Sequence, residues 1–443
     1  MRLPATVAAL ARHRLVGESA WVFTGQILSA LGTLVGVRFV TEFVPPAVFG
    51  TVALAVGVIA LAHGLAAGAL MQGVLRLYPE CAAGGTAGAL RSAALRALRL
   101  PAALAFLAVL IGVTVWAWRA NGSPWLGALA ALLMLVEVAR SVEITLLNAA
   151  RRQKGMAVFS IANAWLRPAF AVLVVRLVDP SASAVLAGYL AGAMVPLFGF
   201  YLSRGFAADA DAAAEAASQH ARLWRYAKPL VPLPLIGWTS GQADRYLLAA
   251  LAGLPAAGVY AALYGLASKP FLMLSAGVEL ALRQVYYGHV SGGQRAAEER
   301  SFRLWLAAVL IPAVLISALI GAFHRELAWL LLAAEYRAHS HLMVWIAAGY
   351  MLLAAAQVVE RICYALHDTR GVALVRTAGA MLSIVVALPM IDAFGLDGAA
   401  WSVPIYFGLQ LLLTVARARR TLRMRARVAA SAHSAPLARR LNA

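Results

Sequence analysis

The sequence is a succession of apolar runs, each roughly 20 residues long, divided by short charged or turn-forming stretches. Coiled as an α-helix at about 1.5 Å per residue, such a run crosses the roughly 30 Å hydrocarbon core of a bilayer. Lipid offers no partner for backbone N–H and C=O groups, so a spanning chain must be helical or must close on itself as a β-barrel. A barrel needs strands of about ten residues in which apolar and polar side chains alternate, and that alternation is absent. The chain is therefore expected to be an all-α polytopic membrane protein. Runs that avoid charge place about twelve spans, near residues 17–41, 47–71, 98–118, 124–148, 156–178, 182–203, 229–252, 256–282, 303–323, 341–363, 372–392 and 396–416. A composition of 62% hydrophobic and only 13% charged residues agrees with this reading.

The formal net charge of +19 would suggest nucleic acid in a soluble protein, but here the placement of the charges matters more than their number. Most of the 38 Lys and Arg fall in the N-terminus, in the loops after even-numbered spans, and in the C-terminal tail. Loops rich in Lys and Arg face the cytoplasm, which puts both termini on that side. Residues 1–16, with Arg2, Arg12, His13 and Arg14 around Leu3, Val7 and Leu10, read as a basic interfacial helix, and no signal peptide is expected. The stretch RARRTLRMRAR, residues 417–427, opens a basic cytoplasmic tail, 417–443, that reads as a topology anchor at anionic headgroups rather than a nucleic-acid site. Cys81 and Cys363 fall near the cytoplasmic side, where thiols stay reduced, and their spacing matches no metal site. No metal and no cofactor is expected. The tripeptide NGS at 121–123 fits a glycosylation sequon but is too short to carry weight.

Two segments resemble each other. VRFVTEFVPPAVFGTVAL, residues 37–54, and DRYLLAALAGLPAAGVYAAL, residues 244–263, each carry an arginine followed by an aromatic residue, an apolar stretch, a proline near the turn and a glycine opening the next helix. The matched pairs are Arg38 and Arg245, Pro46 and Pro255, and Gly50 and Gly258. Such self-similarity points to two six-helix halves of parallel orientation, a frequent transporter design with the substrate site between them. The expected organisation is an N-lobe over 17–203, a cytoplasmic linker over 204–228, and a C-lobe over 229–416.

Helical periodicity gathers Gly25, Gln26, Ser29, Gly32, Thr33 and Gly36 on one face of the first span. The seventh span does the same with Gly237, Ser240, Gly241, Asp244 and Arg245. Small-residue stripes also serve close helix packing, and both readings stay open here. Charges inside the spans carry more information, because one at mid-bilayer costs roughly 2.5–3.5 kcal/mol unless it meets water, a partner or a ligand. The fourth span holds Glu137, Arg140 and Glu143, the fifth Ser160, Asn163 and Arg167, the seventh Asp244 and Arg245, and the eighth Lys269. Arg167 and Lys269 each precede a proline, Pro168 and Pro270, which is expected to kink the helix beside the cation. One reading pairs these charges internally, Glu137 with Arg167 or Asp244 with Arg245, and lets them fix helix register. The other takes the positive surplus of Arg38, Arg167, Arg245 and Lys269 as the lining for an anionic cargo, with Glu137, Arg140 and Asp244 as coupling or charge-pair groups. His63 reads as a packed histidine.

There is no GxxxxGK[ST] phosphate loop and no HExxH, so ATP hydrolysis by this chain is not expected. ESAWVFTGQILSALGTLVGVRFVTEFVPPAVFGTVAL near the N-terminus, DRYLLAALAGLPAAGVYAALYGLASKP, and AEYRAHSHLMVWIAAGYMLLAAA in the last third resemble Wzx-type polysaccharide flippases of the multidrug/oligosaccharidyl-lipid/polysaccharide exporter superfamily. Asp244-Arg245-Tyr246 is the most recognisable element, and the likeness runs along nearly the whole chain. The resemblance implies about twelve transmembrane helices in two six-helix lobes around a central cavity, in the bacterial inner membrane. It implies transfer of an undecaprenyl-pyrophosphate-linked oligosaccharide between leaflets for O-antigen or a related surface polysaccharide, with no enzymatic step. The partners implied are that lipid-linked oligosaccharide, membrane lipids and other polysaccharide-assembly membrane proteins, with no nucleic acid. An ion-coupled multidrug exporter of the same superfamily is the alternative. A membrane O-antigen ligase, polymerase or glycosyltransferase is a third reading, and it would need a sizeable external catalytic loop that the stretch near 324–340 does not supply.

Overall fold

A computed structural model describes residues 5–120, 122–204 and 213–441, with side-chain surroundings described for 21–22, 24–120, 122–202 and 216–427. The side chains of the expected interfacial helix 1–16, Asn121 of the sequon, part of the expected linker and the end of the tail lie outside the described residues. Apart from short turns, the described residues are helical. In order, the helices are α1 (Ala5–Phe43), α2 (Pro46–His63), α3 (Ala69–Ala83), α4 (Ala87–Arg119), α5 (Trp125–Ala149), α6 (Gln153–Leu177), α7 (Ala182–Arg204), α8 (Ala213–Ala227), α9 (Leu233–Ser291), α10 (Arg295–Leu331), α11 (Ala334–Arg337), α12 (Leu342–Ala365) and α13 (Thr369–Leu441).

Among the described residues, nine helical stretches are long and apolar enough to cross a membrane. One of them is α2 and α3 joined through a single π-helical turn, Gly64–Gly68. Two others are each a pair of helices. α9 breaks at Gly253 (φ 89°) and α13 at Gly395 (φ 57°), left-handed conformations that a residue without Cβ adopts at no steric cost. With α1, which covers the first expected span, all twelve expected spans fall on helices. The chain is a multi-pass helical membrane protein.

Contacts divide the chain into two compact units. The first comprises Met1–Trp238, Gly253–Ala262 and Ala328–Ala338. In it α1 packs along α6, α6 along α7, and α4 along α5. The glycines of the α1 stripe form the first of these seams: a methyl group at Gly25 would fall 2.8 Å from Ala157 Cβ, at Gly32 2.7 Å from the Trp165 ring, and at Gly36 2.5 Å from Pro168 Cγ. The packing reading of that stripe therefore holds for these three glycines. Pro168 lies inside an unbroken α6, with its ring seated on Gly36. The amphipathic α8 lies against α3 and α4.

The second unit comprises Thr239–Ala252, Leu263–Leu327 and His339–Ala443. Its core includes Tyr286, Trp305, Val309, Val358, Ile362 and Cys363. α12 packs along α13, and Gly349 lets it approach the backbone at Val403 and Pro404. At Gly241, by contrast, no atom of a neighbouring element among the described residues stands within 4 Å of where a Cβ would sit, nor does one at Gly237 in the first unit. The stripe of the seventh span is open where that of the first is packed.

Candidate functional site

In the first unit three helices converge on Glu137, which α5 buries to 7% exposure. Gly192 brings the α7 backbone onto α6, where a methyl group would fall 2.7 Å from Arg167 Cα. Arg167 is thereby enclosed, its guanidinium 5.2 Å from the Tyr189 ring centroid and its Nη1 donating to Glu137 Oε1 at 2.6 Å. Arg140, one turn beyond Glu137 on α5, donates from Nε to the other carboxylate oxygen at 2.7 Å and also from Nη2. Each bond is charge-assisted, but two guanidinium groups share one carboxylate, so the cluster keeps a positive surplus. Among the described residues, the Oδ1 of Asn163 on α6 is buried without a hydrogen-bond partner, as is Nε2 of His63 on α2.

The second unit carries a different arrangement. Asp244 is 5% exposed, and its Oδ1 accepts the backbone N–H of Arg245 at 2.9 Å. The Arg245 guanidinium turns instead to Gln242 Oε1, to which Nη1 donates, and lies 4.7 Å from the Tyr264 ring centroid. Its Nε is buried without an acceptor among the described residues. Tyr350 donates its hydroxyl to that of Tyr264 at 3.0 Å, and Phe271 and Phe407 pack on the Tyr350 ring. Arg245 is thus a cation on an aromatic wall, held by ring quadrupole and amide rather than neutralised by a bonded carboxylate. Lys269, half-buried further along α9, has no hydrogen bond, ion pair or ring contact among the described residues.

Of the residues singled out in the sequence, Glu137, Arg140 and Arg167 come together in one cluster, while Asp244 and Arg245 share another. Arg38 joins neither, because it is engaged by Glu42 one turn along its own helix. Other ion pairs were not singled out. Arg91 bonds Glu143, which is fully buried and also accepts from Tyr201. Arg376 bonds the buried Glu360 at 2.8 Å, and Arg361 bonds Glu279 at 2.8 Å. Glu143 is among the charges named in the fourth span, but its partner Arg91 and the residues of the other two pairs stand in a loop or near span ends, where a charge in sequence looks like an ordinary loop residue. Among the described residues no three His, Cys, Asp or Glu side chains gather in a way that could hold a metal ion. Cys81 and Cys363 are both buried.

No protein-family model matches the chain, and no curated protein matches it. Solved structures do. An inward-facing multidrug resistance MATE family transporter of the MOP superfamily aligns with a TM-score of 0.64 at 14% identity, over 92% of this chain and 99% of that one. The lipid II flippase MurJ, in an inward closed conformation, aligns with a TM-score of 0.61 at 14% identity, over 90% of this chain and 87% of that one. A MOP superfamily transporter from Pyrococcus furiosus, described as having a binding pocket of reverse polarity, gives 0.56 at 13% identity over 92% and 95%. The chain has the fold of the MOP-superfamily transporters.

Proposed function

We propose that the protein is a flippase that moves an undecaprenyl-pyrophosphate-linked oligosaccharide from the cytoplasmic to the periplasmic leaflet for O-antigen or related surface polysaccharide, by alternating access. The observation that carries this reading is the incompletely compensated positive charge within the spans: among the described residues Lys269 has no partner and Arg245 keeps its Nε unpaired against Tyr264. A chain gains nothing by holding such groups in lipid unless a ligand completes them. A diphosphate does so well, because a guanidinium offers it paired donors. The likeness to MurJ supports a lipid-linked cargo. In this reading Arg245 and Lys269 contact the anionic head of the cargo, while Arg167 and Arg38, already engaged by Glu137 and Glu42, are kept for a lesser electrostatic part.

The same proposal places the chain in the inner membrane as two six-helix halves, 17–203 and 229–416, joined by 204–228, with both termini in the cytoplasm. Reporter fusions at residues 85 and 293 should then signal from the cytoplasm, and fusions near 122 and 338 from the periplasm.

Complementation of a flippase-null strain tests the cargo. Arg245→Lys should transport poorly and Arg245→Ala hardly at all, with membrane protein levels unchanged. Full surface polysaccharide from Arg245→Ala would overturn the assignment. The second reading, an ion-coupled multidrug exporter, draws on the multidrug MATE likeness and on the aromatic wall of Tyr264, Tyr350, Phe271 and Phe407. A null strain with normal surface polysaccharide and lost drug resistance would decide for it. A ligase or polymerase is disfavoured, since the segment such an enzyme would use as a catalytic loop is occupied in packing: Tyr336 is fully buried and donates to Val44 O at 2.9 Å.

A further inference from the structure

Past Gly395, α13 runs as one helix through the end of the last span and on into the basic tail, and its two faces treat arginine differently. The inward face, Thr414, Ala418 and Thr421, is buried. The arginines beside it are pinned: Arg417 donates to both oxygens of Asp368 at 2.6 and 2.7 Å, Thr421 donates to Asp368 Oδ2 at 2.7 Å, and Arg425 donates to both oxygens of Glu298 at 2.7 and 3.0 Å. The outward face carries Ile405, Leu409 and Leu412, respectively 43%, 37% and 65% exposed, and then the exposed Ala416. Residues three or four apart lie on one helix face, so this stripe continues into Arg420, Arg423 and Arg427, with Arg419 beside it. All four arginines are exposed, and none has an acidic partner among the described residues.

We propose that Arg419, Arg420, Arg423 and Arg427 form a binding stripe for the phosphates of anionic phospholipids, distinct from the arginines that hold α13 to its own unit. The face itself argues for lipid over any other polyanion. The side that meets acyl chains at Leu409 and Leu412 turns cationic without a break in the helix, beginning about 6 Å beyond Val415 and rising over about 12 Å. The headgroup layer adds roughly 5–7 Å to each side of the hydrocarbon core, and long arginine side chains on a lipid face bend back towards it. A lipid with a net negative charge meets the stripe from the side on which its own chains already lie.

The test uses the full chain in nanodiscs of phosphatidylcholine alone and of phosphatidylcholine with phosphatidylglycerol. Tightly retained phosphatidylglycerol is counted by native mass spectrometry, and thermal stability is followed in parallel. The wild type should retain phosphatidylglycerol selectively and gain thermal stability from it. The quadruple Arg→Gln variant should lose the selectivity, by about fivefold in relative affinity per arginine, while melting like the wild type in phosphatidylcholine alone. The quadruple Arg→Lys variant should keep most of it. Salt near 1 M should erase the preference, since the screening length shrinks to about 3 Å. Arg417→Gln and Arg425→Gln should instead melt lower in both lipids. Equal phosphatidylglycerol retention by the wild type and the quadruple Gln variant would overturn the proposal. So would displacement of the lipid by millimolar soluble pyrophosphate, which would make the partner a soluble polyanion.

Discussion

Gly50 and Gly258, the two glycines at matching positions of the sequence repeat, stand against each other's backbones within one compact unit. A methyl group at Gly50 would fall 2.2 Å from Leu254 O, and one at Gly258 would fall 1.9 Å from Pro46 O. The contact is reinforced nearby, where Ala333 N–H donates to Thr41 Oγ1 at 3.3 Å and Phe49 meets Tyr336 edge to face. Because backbone atoms cannot swing aside as a side-chain tip can, Gly50→Ala and Gly258→Ala should each lower stability by about 1–3 kcal/mol. Gly112→Ala, in the middle of α4 with no neighbouring element within 4 Å among the described residues, should be neutral or stabilising. Melting temperatures of the three purified variants check this, and equal melting of all three would refute the close approach.

The Glu137 cluster makes a prediction about charge balance. Glu137→Gln would leave Arg140 and Arg167 facing each other in a low dielectric with no anion between them. Breaking a buried pair in this way costs about 3–5 kcal/mol. The double variant Glu137→Gln with Arg167→Met removes one of the stranded cations and should recover a good part of that loss. A double-mutant cycle on thermal stability measures the coupling, and strict additivity would show that the cluster bears no load.

The twelve spans were legible in the sequence because the length of an apolar run is a local property. The partners of the polar side chains were not, because they are chosen by tertiary contact. Gly25, Gly32 and Gly36 make a stripe that sequence leaves open between seam and cavity lining, and only the arrival of Ala157, Trp165 and Pro168 from α6 decides it. The pairing of Glu137 with Arg167 was one of two open readings, whereas Arg245 found Tyr264 and Gln242 rather than a side-chain bond to its neighbour Asp244. Arg38 could have been settled in advance, since Glu42 sits four residues on, where helical side chains meet. Glu360 and Arg376 could not, because a charge at a span end looks the same whether it is solvated or paired.

Asp368, in the turn between α12 and α13, gives a pH dependence with a definite sign. The bonds from Arg417, helped by those from Thr421 and the Gly371 N–H, hold its carboxyl down at about 2, below the ordinary 3.8. A carboxyl depressed in the folded state binds its proton less readily than the unfolded chain does, so it contributes stability above about pH 4 that is lost as the pH falls towards 2. Asp368→Asn should therefore melt lower than the wild type at pH 7 by a margin that is constant down to about pH 4 and then closes. A margin unchanged between pH 4 and pH 2.5 would rule out the ion pair as its source.

Lys269 allows stability and function to be separated. It is half-buried within a span and unpartnered among the described residues, so the folded chain bears a desolvation cost that no bond offsets. Methionine has a similar length and no charge, and replacing buried charge by a matched apolar group is neutral or stabilising by about 1–4 kcal/mol. Lys269→Met should accordingly raise the melting temperature or leave it unchanged. If the lysine meets the cargo's phosphates, the same substitution should abolish transport, and Lys269→Arg, which keeps the charge, should retain a measurable part of it. Complementation and melting of the two variants together decide the matter. Full transport by Lys269→Met would remove Lys269 from the cargo path. A fall in stability that tracked the fall in transport would make it a structural residue, a result the absence of any bonded partner argues against.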